Sequence, residues 1–393
     1  MGCKIIVAGA GLGGLTAAAC LLKAGHDVEV YEQSPVLGEV GAGIQISANA
    51  FHVMRHLGIG DELLQVGVRP AAYVFRLFDT GEELQRFALS NDHEGKHGAP
   101  YVQLHRADFH AILAARAQSF KPDLIRLDHR LVDFVETADF VEARFANGAT
   151  ARGDLLIGAD GLKSVVRKQI VGDTPASYTG DAVWRLAVPV ERLPTPFLEM
   201  AMSVFMGPGR HAICYYLRAG ALLNFVGVVE TDDVREESWT LKLPWEGLKA
   251  DFTGWHPAVQ TIIDCADRDA CFRWSLYIRA PLRNWSTCRA TLLGDAAHPT
   301  LPYLAQGAAM ATEDGAVLTR ALEMSGSIPD ALQLYERNRV ERTARIVEQS
   351  TLNRQLFHLP SVQALREAFA RRNEGEDRNK WLYAYNPLTV ELT

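Results

Sequence analysis

The sequence predicts an α/β fold: a Rossmann-like dinucleotide-binding domain carrying an inserted β-sheet domain and ending in a C-terminal helical segment. Three observations predict it. Gly9-x-Gly11-x-x-Gly14 stands between a buried apolar run and a run of small residues. A β-rich stretch from about residue 182 to 230 interrupts the alternation of strands and helices. A second short apolar run, Ala290 to Leu293, then leads into Gly294-Asp295, so nucleotide-binding text flanks the insertion on both sides.

Cys3 to Ala8 is predicted as a buried strand, Leu15 to Ala24 as a small-residue helix stopped by Gly25, and Asp27 to Tyr31 as the next strand. In this βαβ opening Gly9 permits the tight turn. Gly11 lets a pyrophosphate approach the backbone, and Gly14 lets helix and strand pack closely. The helix start, from Leu12 onward, offers free N–H groups and a positive dipole end to phosphates. Glu32 ends the second strand, where an acid accepts ribose hydroxyls. Asn49 is expected to cap a helix through Leu57, and Arg106 to open a helix over Ala107 to Gln118.

Leu155 to Ile157 runs into Gly158-Ala159-Asp160-Gly161. The meander then reads as strands over Ala182–Val188, Leu198–Met206, Arg210–Leu217 and Ala221–Val229. Helix is expected over Trp245–Cys265, over Gln306–Met324, and from Pro329 onward. By itself, Gly158–Gly161 reads more often as a surface turn, and an isolated His298 as a capped turn histidine. Gly294-Asp295-Ala296-Ala297-His298-Pro299 says more, because an acid at a strand's C-terminal end sits where open α/β sheets bind ligands.

Composition narrows the partners. The chain has 393 residues, 48% hydrophobic and 22% charged, enough for a packed core. A net charge of −7 argues against a dominant nucleic-acid surface. Six cysteines include no C-x-x-C pair, so neither a disulfide framework nor a structural zinc site is expected. Glycines interrupt the uncharged run Ile5 to Leu22, so neither signal peptide nor membrane span is expected. The expectation is a cytoplasmic protein, monomer or homodimer, whose partners are small molecules.

In this order the three motifs resemble the flavoprotein aromatic hydroxylases, single-component FAD monooxygenases of the para-hydroxybenzoate hydroxylase fold, from Lys4 to about Arg345. The resemblance implies a GR2-type FAD-binding domain over residues 1–70, 100–180 and 280–350. It implies a substrate domain over 71–99 and 181–279, and a helical tail over 351–393. FAD would be held by Gly9, Gly11, Leu12, Gly14, Glu32, Gln45, Arg106, Asp160, Asp295, Pro299, Gly307 and Ala308. The Gln306–Met310 run would let a flat ring rest on backbone N–H groups. With one GxGxxG only, NADH or NADPH would visit transiently; NADH is the choice this branch implies.

Within the family, Trp184-Arg185, His211-x-x-x-Tyr215 and Leu301–Gly307 resemble the branch acting on salicylate, 3-hydroxybenzoate and 6-hydroxynicotinate. Gln45 and Tyr303 stand where the 6-hydroxynicotinate enzymes carry histidine, and Pro302 where 3-hydroxybenzoate enzymes carry glutamine. These departures lean toward a salicylate-type pocket. The reaction implied is ring hydroxylation of a small aromatic hydroxy acid by O2 through a flavin hydroperoxide. His211 is the candidate base, since a phenolate is the more electron-rich target, with Tyr215 beside it on the same strand face. Arg185 is a candidate for a substrate carboxylate or the cofactor; Tyr303 and Pro302 are candidate pocket walls. Two alternatives keep the fold: a flavin-dependent dehydrogenase or reductase without oxygen insertion, and a non-catalytic flavin-binding protein. No metal is expected.

Overall fold

A computed structural model describes residues 2–38, 43–233, 241–372 and 379–393. Gly41 and Ala42, which precede Gln45, lie outside these described residues.

The first strand, Lys4–Ala8, is buried along all but its first residue, as a central parallel strand must be. It anchors a five-stranded parallel sheet in the order Ala290–Leu292, Leu155–Gly158, Lys4–Ala8, Asp27–Tyr31, Ile125–Arg126. Three stretches far apart in sequence therefore lie side by side with their carboxyl ends together. The helix Leu12–Lys23 leaves the first strand through Gly9, whose φ of +108° suits glycine. A Cβ on Gly9 would lie 2.4 Å from the Ala159 carbonyl oxygen, and one on Gly14 would lie 2.1 Å from that of Gly9. The two outer glycines of the motif are thus demanded by backbone packing.

A separate seven-stranded sheet runs in the order Phe272–Ile278, Ser177–Pro189, Leu222–Glu230, Arg210–Leu217, Met202–Gly207, Ala72–Leu77, Glu83–Ala88. Its neighbours are antiparallel except for Met202–Gly207 beside Ala72–Leu77. Alternation splits it into two faces. Ala212, Cys214 and Tyr216 join an apolar core with Leu248, Phe252, Val259, Ile262 and Ile263. These come from the short helices Trp245–Asp251 and Pro257–Asp264. His211, Ile213 and Tyr215 point to the opposite face, toward Leu301, Tyr303 and Phe357.

Several elements differ locally from expectation. The helix Ala48–Leu57 has Ser47 at its cap position, while Asn49 is buried inside it and bonds to other elements. The expected strand Leu198–Met206 begins only at Met202. The expected helix Trp245–Cys265 is two helices, broken where Gly254 takes φ +79° and where His256 caps the second by accepting from the Ala258 N–H. The helix Ile328–Phe357 runs without interruption across the expected tail boundary at 350/351. Its end and the helix Val362–Arg372 press Phe357 and Phe369 against Phe75, so the tail braces the second sheet.

The helix Gly307–Met324 crosses Leu12–Lys23 so closely that a Cβ on Gly315 would meet Ala17 backbone atoms at 2.9 and 3.0 Å. Backbone cannot yield as a flexible side chain does, so overpacking here costs about 1–3 kcal/mol. Gly315→Val is expected to lower the urea midpoint accordingly; an unchanged midpoint would show that these helices have slack.

Candidate active site

Gly11 differs from its two motif partners. A Cβ there would meet nothing within 4 Å, so the backbone faces open space at the start of Leu12–Lys23. No side chain caps that helix, which leaves its first N–H groups for an anion. Leu12 itself is a core side chain, so what it offers a ligand is backbone. Glu32 sits beside this turn and accepts from the Ala10 N–H at 2.8 Å and the Ser34 N–H at 2.9 Å. The cradle therefore suits the diphosphate and ribose of a dinucleotide.

Asp160 is engaged locally. It accepts from Ser164 Oγ at 2.5 Å and from the Val165 and Val166 N–H groups at 2.7 and 3.2 Å. Burial raises its pKa, and these hydrogen bonds oppose the rise. Its carboxylate thus shapes the loop before the helix Val165–Val171, a role the sequence reading did not assign. Asp295 stands in the turn after Ala290–Leu292 and is accessible to solvent although protein surrounds it on most sides. That partial enclosure raises its carboxyl pKa, while His298 and Arg106 pull the other way. Arg106 opens the helix Arg106–Phe120, as expected. Pro299 is buried and Pro302 exposed, with Gly307 and Ala308 at the next helix start.

Beneath this turn lies a cluster of charges that the sequence reading missed. Glu313, Asp314 and Arg339 are all fully buried. Arg339 pairs with Glu313 at 2.8 Å and Asp314 at 2.7 Å, and Arg342 reaches Glu313 at 2.7 Å. Asp314 also accepts from the Gly294 N–H at 2.9 Å and meets His298 Nε2 at 2.7 Å. Asn49 donates to both Glu313 and Gln306. Burial alone would raise the Asp314 pKa, but His298 and Arg339 outweigh it and hold the group at about 2. His298 is therefore a strut of this cluster rather than a turn cap.

The second wall is the inner face of the seven-stranded sheet. Register places His211 opposite Val228 and Val183 in one row, Ile213 with Val226 and Arg185 in the next, and Tyr215 with Asn224 in a third. His211, Arg185 and Tyr215 thus share one face across three strands. Four residues along a strand span roughly 13 Å, so His211 and Tyr215 stand at opposite ends of that face.

Tyr215 lies against the strand Gly43–Ile46, where a Cβ on Gly43 would fall 2.3 Å from its hydroxyl. Asn224 accepts the Gly43 N–H at 3.1 Å. Gln45 is tied by Tyr101 at 3.2 Å and donates to the Met202 sulfur at 2.9 Å, so its amide is held in the wall.

Arg185 Nη2, His211 Nε2 and Asn224 Nδ2 on this face are buried without a hydrogen-bond partner. Arg185 is 6% exposed and lies over the Trp274 ring. Burial, and then Arg106, lower its pKa to about 10, which leaves it cationic at neutral pH. Burial first, then His358 and Arg354, push the His211 pKa well below its usual value, which leaves the ring neutral. Its other nitrogen meets His358 Nε2 at 2.8 Å. Tyr303 packs its ring 5.2 Å from His211 but commits its hydroxyl to Asp181 at 2.5 Å, beside Arg354. Asp181, Arg354, His358 and Glu230 were not singled out from sequence.

Breaking one side of a buried ion pair costs about 3–5 kcal/mol. Arg339→Met is therefore expected to destabilise the chain by about that amount in urea titration; a change under about 1 kcal/mol would refute the cluster's role. The folded pKa of Asp314 lies below its ordinary 3.8. Its contribution is complete above about pH 4 and fades as pH falls toward about 2. Asp314→Asn should flatten that acid limb of the stability profile.

Residues 2–350 match the family model described as FAD binding domain. The chain is 36% identical over 395 residues to the 6-hydroxynicotinate 3-monooxygenase of Bordetella bronchiseptica, covering 99% of this chain and 97% of that one. It is 38% identical over 391 residues to the 3-hydroxybenzoate 6-hydroxylase of Polaromonas naphthalenivorans, covering 97% and 96%. The structure of Klebsiella pneumoniae HpxO complexed with FAD and uric acid superposes with a TM-score of 0.85 at 29% identity, over 98% and 96% of the two chains. Among the described residues no helix is long and apolar enough to cross a membrane. With that family match over most of its length and those relatives, this chain belongs to the FAD-binding-domain family and, within it, to the FAD-dependent aromatic hydroxylases.

Proposed function

We propose that the chain hydroxylates a small aromatic acid bearing a ring hydroxyl, salicylate-like or hydroxynicotinate-like, with NADH or NADPH as reductant. The carrying observation is that a base and a cation, His211 Nε2 and Arg185 Nη2, are buried without partners on one sheet face. A neutral base and a cation fixed on one largely apolar wall complement a ring that carries an acidic hydroxyl and a carboxylate. The named relatives act on 6-hydroxynicotinate and 3-hydroxybenzoate, which share that pattern.

Arg185 would hold the carboxylate by a charge-assisted hydrogen bond. His211 would take the hydroxyl proton at Nε2, raising electron density on the ring. Burial keeps the imidazole neutral, so the Nε2 lone pair is free, while the same burial lowers its basicity. Tyr215 would close the far end of the same face. Tyr303 and Pro302 would form wall only, since the Tyr303 hydroxyl is already engaged by Asp181. Ile213, Val226 and Leu301 would keep water from the reacting edge.

Gly9, Gly11, Leu12, Gly14, Glu32, Gln45, Arg106, Asp160, Asp295, Pro299, Gly307 and Ala308 would line or shape the cofactor side. Bound FAD supplies two-electron transfer from the nicotinamide and activation of O2. One oxygen atom enters the ring and the other leaves as water; with salicylate, carbon dioxide is also lost and catechol forms. We assign residues 1–70, 100–180 and 280–350 to the cofactor-binding part and 71–99 and 181–279 to the substrate part. The reading includes a cytoplasmic enzyme, monomeric or dimeric.

The test is NADH consumption, O2 uptake and product analysis with a panel of hydroxybenzoates and hydroxynicotinates. His211→Ala is expected to lower kcat by about 10²–10⁴ with FAD retained. Arg185→Ala is expected to raise KM by about 10–100-fold, the equivalent of a lost charged hydrogen bond. Unaltered turnover in His211→Ala would remove it from the mechanism. NADH oxidation that yields only peroxide with every acid would contradict the reaction.

A further inference from the structure

His211 is sealed from solvent, so a proton it accepts has no direct way out. A continuous path nevertheless leads from it to the surface. His211 Nδ1 meets His358 Nε2 at 2.8 Å, and His358 Nδ1 meets Glu230 Oε1 at 3.0 Å. The Glu230 side chain is 45% exposed. The three residues lie on the strand Arg210–Leu217, at the C-cap of the helix Ile328–Phe357 and at the end of Leu222–Glu230.

We propose that His358 and Glu230 form a proton relay between His211 and solvent, and that the C-terminal segment thereby takes part in turnover. The proposal rests on the assignment of His211 as base. The substrate O–H breaks as an N–H forms at His211 Nε2. The proton on His211 Nδ1 passes to His358 Nε2, that on His358 Nδ1 passes to Glu230, and Glu230 delivers it to water. Each imidazole ends in its other tautomer, and the reverse sequence resets both when the product takes a proton on release. No electrons move.

The surroundings suit this traffic. His358 faces Glu230, Arg354, Asp181 and His211; His211 faces His358, Arg354, Tyr303 and the apolar Phe357. Arg354 is held by Asp181 at 2.5 and 2.8 Å and reaches Glu230 at 3.4 Å. Its fixed positive charge disfavours a proton resting on either imidazole and favours one passing through. Asp181 and Tyr303 are occupied with each other and with Arg354, so they offer the proton no competing branch.

His358 acts through His211 and is a positioning and relay residue, so its test must separate proton movement from packing. The probe is 3-hydroxybenzoate, or whichever acid of the panel has the highest kcat/KM. It is mixed anaerobically with the FAD-loaded protein in weak buffer containing a pH indicator. Phenolate absorbance and proton release are followed in H2O and D2O.

His358→Gln keeps an amide in place but cannot pass a proton. It is expected to slow phenolate formation and proton release at least ~10-fold, to enlarge the solvent isotope effect, and to leave the probe's Kd unchanged. Glu230→Gln should slow release by a smaller factor, with recovery as formate buffer is raised. A packing role alone would shift Kd or stability without an isotope effect, and would overturn the relay. So would equal rates in His358→Gln and the unaltered protein while His211→Ala loses the step. If His211→Ala also keeps the step, the base assignment itself fails. Should His358→Gln not fold, the formate dependence of Glu230→Gln decides, and its absence overturns the proposal.

Discussion

Two carboxylates and a guanidinium that never meet water govern the shape of this molecule. Glu313 and Asp314 lie side by side in one helix, and no fold could bury both without compensation. Arg339 and Arg342, on the next helix, supply it. The same carboxylates then reach outward, to the Gly294 N–H and His298 on one side and to Asn49 on the other. The turn carrying Asp295 and the helix starting at Gly307 are therefore fixed relative to each other by charge. Packing of Gly315 on Ala17 fixes the same helix against the glycine-rich opening. These contacts together fix the turn at Asp295 and the helix starts at Leu12 and Gly307 against one another.

The opposite wall is organised by a different rule, the strict alternation of a sheet. One face of the seven-stranded sheet is closed by helices, and the other receives His211, Arg185 and Tyr215. Cross-strand register, rather than any local motif, brings Arg185 level with Ile213, between His211 and Tyr215. The parallel sheet thus contributes an uncapped helix start, and the second sheet a buried imidazole and a buried guanidinium.

Much of this was legible in the sequence, and the reasons differ by residue. Gly9 and Gly14 were readable because backbone sterics leave only glycine there, and the chain records that need locally. The β insertion announced itself by composition and turn residues. Asn49, by contrast, reads as a helix cap from its neighbours alone; its true partners, Gln306 and Glu313, lie over 250 positions away. The resemblance puts Asp160 on the cofactor side, yet its hydrogen bonds run to the loop and helix just after it. Asp181, Arg354, His358 and Glu230 carried no signal, because each gains its meaning only when the last turn of a long helix docks on the sheet. His211 was found through its spacing to Tyr215, but its connection to His358 spans 147 positions that no periodicity encodes.

All of these elements serve one claim: that oxygen from O2 is delivered to a ring held against the His211 and Arg185 face. Turnover of the preferred aromatic acid with NADH under oxygen-18 gas, followed by mass spectrometry of the product, tests it most directly. The account predicts one labelled atom in each new ring hydroxyl. A product labelled from water, or complete NADH oxidation with no hydroxylated ring, would contradict it.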